Sequence, residues 1–145
     1  MKNIILSFAL ILVGASCSKS ALLDVEFEWF NLSTNEIYVS DAIGLPVEAS
    51  PGILIPVKTE DQLNTKSSIF SEAVRVKDQI AIKWNDNGTN GFHGDFELPG
   101  KILPGMAHQI EFKRDELGIP SKLTNGKVRF TYLGNDKWRI KFFPQ

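Results

Sequence analysis

The stretch Val128-Arg129-Phe130-Thr131-Tyr132-Leu133-Gly134-Asn135-Asp136-Lys137-Trp138-Arg139-Ile140-Lys141-Phe142 decides how the rest of the chain is read. Two runs alternate apolar and polar residues at period two, and both are rich in aromatic and β-branched side chains. That is the pattern of two half-buried strands joined by a turn. Their register can be argued from the faces alone. If Asn135-Asp136 were a plain two-residue loop, Phe130 would oppose Lys141 and Tyr132 would oppose Arg139, mixing the faces. A shift by one gives a three-residue loop, Gly134-Asn135-Asp136, and pairs Tyr132 with Trp138, Phe130 with Ile140 and Val128 with Phe142. One face is then wholly apolar. Because a one-residue slip carries every side chain to the other face, burial selects the second register.

The same alternation recurs upstream. In residues 22–31, Val25, Phe27 and Trp29 lie on one side and Asp24, Glu26 and Glu28 on the other. Residues 31–35 are turn chemistry, and residues 36–40 continue as a second strand with Ile37 and Val39 inward. Ser50-Pro51-Gly52 fits a turn with proline second and glycine third, leading to an apolar strand over 53–57 in which Pro56 favours an edge position. Over residues 59–69, Thr59 with Gln62 three positions on resembles a capping box, so one or two helical turns and a polar loop are both compatible. Residues 73–77 and 79–84 read as strands with Val74, Val76, Ile80, Ile82 and Trp84 as core candidates. Further strands are expected over 92–98 and 106–112, and a single helical turn over 114–117, stopped by Gly118 and Pro120. Short strands, frequent turn signals and almost no helix predict an all-β fold. The expectation is an antiparallel β-sandwich of immunoglobulin-like architecture, with a barrel as the alternative. Without a Cys-Trp-Cys pattern the term describes layering, not ancestry.

The N-terminus follows a different logic. Lys2 precedes a mainly apolar run from Ile4 to Val13, then the small residues Gly14, Ala15 and Ser16, then Cys17, the only cysteine in the chain. A basic start, a hydrophobic segment and a small-residue cleavage site form the pattern of a secretory signal. Val13-Gly14-Ala15-Ser16-Cys17 resembles the lipobox of bacterial lipoproteins, although Gly14 stands where that class usually has a bulky aliphatic residue. The resemblance implies cleavage before Cys17, lipid on its sulfur and amine, and attachment to an envelope membrane. The expected organisation is a helical signal over 1–16, a short tether over 17–21 and one β-sandwich domain over 22–145. A cleaved signal without lipid is the competing reading. The tether would reach roughly 15 Å, holding the domain close to the headgroups.

Removing residues 1–16 leaves 129 residues in which 15 basic side chains face 17 acidic ones, a net charge of −2. That length suits one domain burying roughly two-thirds of its unfolded surface. The near-neutral balance argues against a nucleic-acid partner, which normally needs a clustered basic excess. No second apolar run approaches the roughly 18 residues of a membrane span. A lipidated Cys17 also removes disulfide and thiol chemistry.

Few local patterns carry chemistry. His93 and His108 match no metal-ligand spacing, and no serine elbow, phosphate loop or dinucleotide fingerprint is present. His93-Gly94-Asp95 could supply a base and its orienter, but two such residues on one strand more often share a solvated face. Asp86, Asn90, Gly91 and Glu97 fall at positions one, five, six and twelve of a calcium loop. Position three is Gly88, which has no side-chain oxygen, and the flanks read as strands where the motif needs helices. The ordinary reading is a Gly/Asn-rich hairpin loop, so no metal or other cofactor is expected.

Charge patterning is more informative. In the chosen register the outward face of the hairpin carries Lys127, Arg129, Lys137, Arg139 and Lys141, with Arg129 directly opposite Lys141. Like charges so placed repel unless something compensates. Either Asp24, Glu26 and Glu28 lie alongside and neutralise them, or the face meets anionic headgroups or an acidic partner. Trp29, Trp84 and Trp138 fall on inward faces and read as core; an exposed sugar-stacking platform is the alternative. Together these observations predict a non-catalytic envelope lipoprotein acting as an interaction module, with another envelope protein as its partner. An immunity- or inhibitor-type lipoprotein blocking an envelope-acting enzyme is the alternative.

Overall fold

The computed structural model describes residues 24–62, 66–85 and 107–145. Its organising strand is β1 (Val25–Asn31), in which Val25, Phe27 and Trp29 are buried at 0–1% exposure, as the alternation requires. The remaining strands follow as β2 (Ile37–Ile43), β3 (Gly52–Leu54), β4 (Lys66–Phe70), β5 (Val74–Arg75) and β6 (Gln79–Asn85). Then come β7 (Ala107–Lys113), β8 (Lys122–Leu123), β9 (Gly126–Gly134) and β10 (Lys137–Phe143). One 3-10 turn, Val47–Ala49, is the only helical element among the described residues. No helix there is long and apolar enough to cross a membrane.

Two four-stranded sheets result, β10-β9-β1-β4 and β3-β2-β6-β7, with β5 and β8 forming a small third ladder. The two large sheets share one core. Val25, Phe27, Trp29, Val128 and Phe130 from the first meet Ile37, Val39, Ile80, Ile82 and Trp84 from the second. Trp29 stacks on Phe130 with centroids 4.1 Å apart, and its Nε1–H donates to the Ala49 carbonyl at 2.7 Å, holding the 3-10 turn over the core. Trp84 ties the sheets together through edge contact with Trp138 at 5.5 Å and a tilted contact with Tyr132 at 5.8 Å.

The expectation of a purely antiparallel sandwich is corrected in the first sheet, where β1 and β9 run parallel, pairing Phe27 with Val128 and Trp29 with Phe130. Period-two alternation reads the same in either direction, so it carries no information on strand polarity. The second sheet is antiparallel throughout, and the sheets do not close into a barrel.

The hairpin has the predicted register: Tyr132↔Trp138, Phe130↔Ile140 and Val128↔Phe142. Its turn is tighter than expected. Gly134 pairs with Lys137, leaving Asn135-Asp136 as the loop, with φ angles of 50° and 59°. Two left-handed central residues make the turn that matches strand twist. The register then shifts between Lys137 and Trp138, leaving Leu133 as an extra, exposed residue of β9. A β-bulge, rather than a longer loop, restores the apolar face.

Between 59 and 69 the helical expectation shrinks to one turn, in which Gln62 N–H donates to Thr59 O at 3.4 Å, while residues 66–70 form β4. Ser67 and Ser68 hide this strand in the sequence. The partner strand β1 supplies what their propensity lacks, and the Ser68 hydroxyl donates to Glu48 O at 2.7 Å. Strand β3 ends at Leu54 at the edge of its sheet, and Pro56 makes only an isolated bridge with Asn31. Val74, Val76, Ile80, Ile82 and Trp84 are all buried, although the strand expected over 73–77 shortens to β5. The helical turn expected over 114–117 is a hydrogen-bonded turn and not a helix, with Leu117 N–H donating to Arg114 O at 3.2 Å and Gly118 at φ 67°. The signal, the tether and the strand expected over 92–98 lie outside the described residues.

Candidate functional site

Parallel pairing of β1 with β9 places Glu26 beside Lys127 and Glu28 beside Arg129 on the outer face of the first sheet. Lys127 Nζ lies 3.1 Å from Glu26 Oε2 and 2.6 Å from Glu28 Oε1, and Arg129 Nε donates to Glu28 Oε2 at 2.8 Å. Glu28 is only 9% exposed as a result. Burial alone would raise its carboxyl pKa, but the hydrogen bonds and charges of Lys127 and Arg129 outweigh that and hold it below the ordinary value. The Lys127 ammonium is correspondingly raised, mainly by its hydrogen bond to Glu28.

A third acid, not anticipated from the sequence, completes the network. Glu60, in the turn after β3, accepts from Arg129 Nη1 at 3.0 Å and pairs with Arg139. Arg129 is also bracketed by aromatic faces, 4.9 Å above Phe30 and 5.2 Å from Phe143. No local signal marks Glu60 as a partner; it reaches Arg129 by tertiary folding across 69 residues of sequence. Asp24 makes no ion pair among the described residues.

Of the five predicted cations, Lys127, Arg129 and Arg139 are therefore neutralised within the face. Lys141 opposes Arg129 across the hairpin as expected, and Lys137 ends the same row. Neither lysine forms an ion pair among the described residues, and both are exposed. They lie on β10, an edge of its sheet.

A second cluster sits where the β1–β2 turn, the hairpin turn and the start of β7 converge. The turn is ordered by Asn31, whose Nδ2 donates to Asn35 O at 2.7 Å and Leu54 O at 3.0 Å. His108 Nδ1 lies 2.9 Å from Asp136 Oδ1, and its ring stacks on Trp84 at 5.3 Å. The adjoining cavity of about 300 Å³ is lined by Ser33, Asn35, His108, Tyr132 and Asp136, among others. His108 and Asp136 are 28 positions apart, so their pairing has no local signature. At the other end of the second sheet, a wider cavity of about 800 Å³ is bounded by Lys77, Lys113 and Arg114. Arg114 is already engaged there, donating to Asp78 at 2.9 Å and Ile119 O at 2.7 Å.

Cys17, His93 and the calcium-loop candidates Asp86, Asn90 and Glu97 lie outside the described residues. Among the described residues no group of three or more His, Cys, Asp or Glu side chains is placed to hold a metal. Trp29 and Trp84 are each 1% exposed, so neither forms a surface platform; Trp138 is half-buried. No protein-family model, curated protein or solved structure matches the chain.

Proposed function

We propose that this protein is a bacterial envelope lipoprotein, tethered through lipid on Cys17, whose sandwich acts as a non-catalytic interaction module for another envelope protein. The layering is read as immunoglobulin-like on the strength of two four-stranded sheets around one core. The observation that carries the proposal is the position of the only cysteine, immediately behind an apolar run and Gly14-Ala15-Ser16. The path of β1 supports it. Only seven peptide steps separate Cys17 from Asp24, a reach of at most about 25 Å. The end of the sandwich where β1 begins therefore faces the membrane in this reading, and β1 and β9 run away from it. Replacing Cys17 with Ala is expected to release the protein into the soluble fraction and abolish incorporation of labelled fatty acid. Continued membrane association of that variant would overturn the anchor.

A further inference from the structure

We infer that the edge of β10, unpaired among the described residues, docks an extended segment of a partner protein, a strand that alternates acidic and apolar residues. This names the chemistry of the partner and rests on the interaction-module reading above.

The backbone comes first. Leu32 N–H donates to Tyr132 O at 2.8 Å, so the main-chain groups of Tyr132 face β1 and not β10. Its hairpin partner Trp138 therefore turns its own N–H and C=O away from β9, and Ile140 and Phe142 follow at period two. Among the described residues that edge is unpaired over seven residues. Of the other three edges of the two large sheets, β3 has three residues and leads into Pro56, and β4 has five. Strand β7 matches β10 in length, but its outward row mixes signs and is internally satisfied. There Gln109 donates to Glu111 at 2.9 Å and Lys113 pairs with Glu116 at 3.3 Å.

The side chains point the same way. Tyr132, Phe130 and Val128 on β9 are 4%, 0% and 0% exposed, whereas their partners Trp138, Ile140 and Phe142 are only half-buried while packing on the same core. A strand added beside β10 would cover that remaining apolar surface with alternate side chains of its own. Among the described residues, the acids that reach this face are already committed, Glu26 and Glu28 to β9 and Glu60 to Arg129 and Arg139. Lys137 and Lys141 remain without acidic partners among the described residues, and Lys141 faces Arg129. Carboxylates at period two on an incoming strand would meet this row. The same charges repel a second basic edge, so the edge selects against pairing with another copy of itself. Lys137 and Lys141 lie about 14 Å apart along the strand. In the tethered orientation that axis leads away from the membrane, so a flat headgroup surface meets one end of the row, whereas a strand meets its whole length.

The test uses the full chain carrying Cys17→Ala, so docking and lipidation are read in separate experiments. The probe is a short capped peptide of alternating glutamate and valine, with lysine replacing glutamate in the control. The expected result is saturable, salt-sensitive binding of the acidic peptide alone, followed by tryptophan fluorescence, with slowed amide exchange at Trp138, Ile140 and Phe142. The double variant Lys137→Glu/Lys141→Glu should weaken binding by about tenfold or more. It should also retain its thermal transition, since both lysines are exposed. Absence of saturable binding, protection at other strands, or unchanged affinity of the double variant would overturn the inference. Binding to phosphatidylglycerol vesicles that the double variant loses, without peptide binding, would overturn it in favour of headgroups.

Discussion

Glu28 occupies an outward position by alternation yet is buried, because Lys127, Arg129 and the Glu60 turn close over it. Its effect on stability has a definite sign. The folded carboxyl titrates below its ordinary value of 4.5, so its contribution is present above that value and lost as pH falls through the folded pKa. For Lys127 the folded pKa lies above 10.5, so its contribution is present below that value and disappears as pH rises through the folded pKa. Glu28→Gln is expected to lower stability at neutral pH by about 1–2 kcal/mol. Lys127 keeps Glu26 and Arg129 keeps Glu60, which limits the loss. Urea unfolding of both proteins at neutral and at strongly acidic pH checks this. The gap should narrow in acid, and a gap independent of pH would refute the assignment. The sequence placed Glu28 beside a basic row only as one of two readings. The parallel pairing of β1 with β9 and the distant Glu60 made it the centre of a network.

The β9–β10 hairpin separates what local pattern specifies from what turn stereochemistry adds. Its register was readable because only one pairing leaves an apolar face, whereas the route to that register was not. Asn135 and Asp136 both adopt left-handed backbone, and Leu133 is expelled as a bulge to reconcile that tight turn with the faces. Deleting Leu133 should therefore leave a regular hairpin that keeps Tyr132 opposite Trp138, at a cost below about 1 kcal/mol. Deleting Thr131, which is 1% exposed, should also give a regular hairpin, but one that sets Leu133 opposite Trp138 and turns Tyr132 to the outer face, so the Tyr132–Trp138 contact is lost and the melting temperature falls further. Cross-strand nuclear Overhauser contacts and thermal melting distinguish the two. Loss of the Tyr132–Trp138 contact on removal of Leu133 would show that the bulge itself holds the register. Strand β4 is the opposite case: its Ser67-Ser68 centre carries little strand signal, and it forms because β1 offers a free edge beside it.

Across the whole molecule, Trp29 is the side chain of β1 that joins three other elements. It stacks on Phe130 of β9, meets Trp138 of β10 edge-on at 6.0 Å and holds the 3-10 turn through Ala49. Trp29→Ala is expected to cost about 3–5 kcal/mol. Its unfolding midpoint in denaturant should fall well below that of an exposed-site control such as Val47→Ala, Val47 being 86% exposed. Equal midpoints would mean the sheets do not share the core described here. From its order of residues alone, the chain determined the strand periods of its described residues and the hairpin register. These are local matters, set by side-chain alternation and backbone preference within a few residues. Tertiary structure alone decided the parallel union of β1 with β9, the capture of Arg129 and Arg139 by Glu60, the His108–Asp136 pair and the place of β10 at the edge of the described sheet. Each depends on which distant segments meet and in which direction they run, and a period of two is the same from either end.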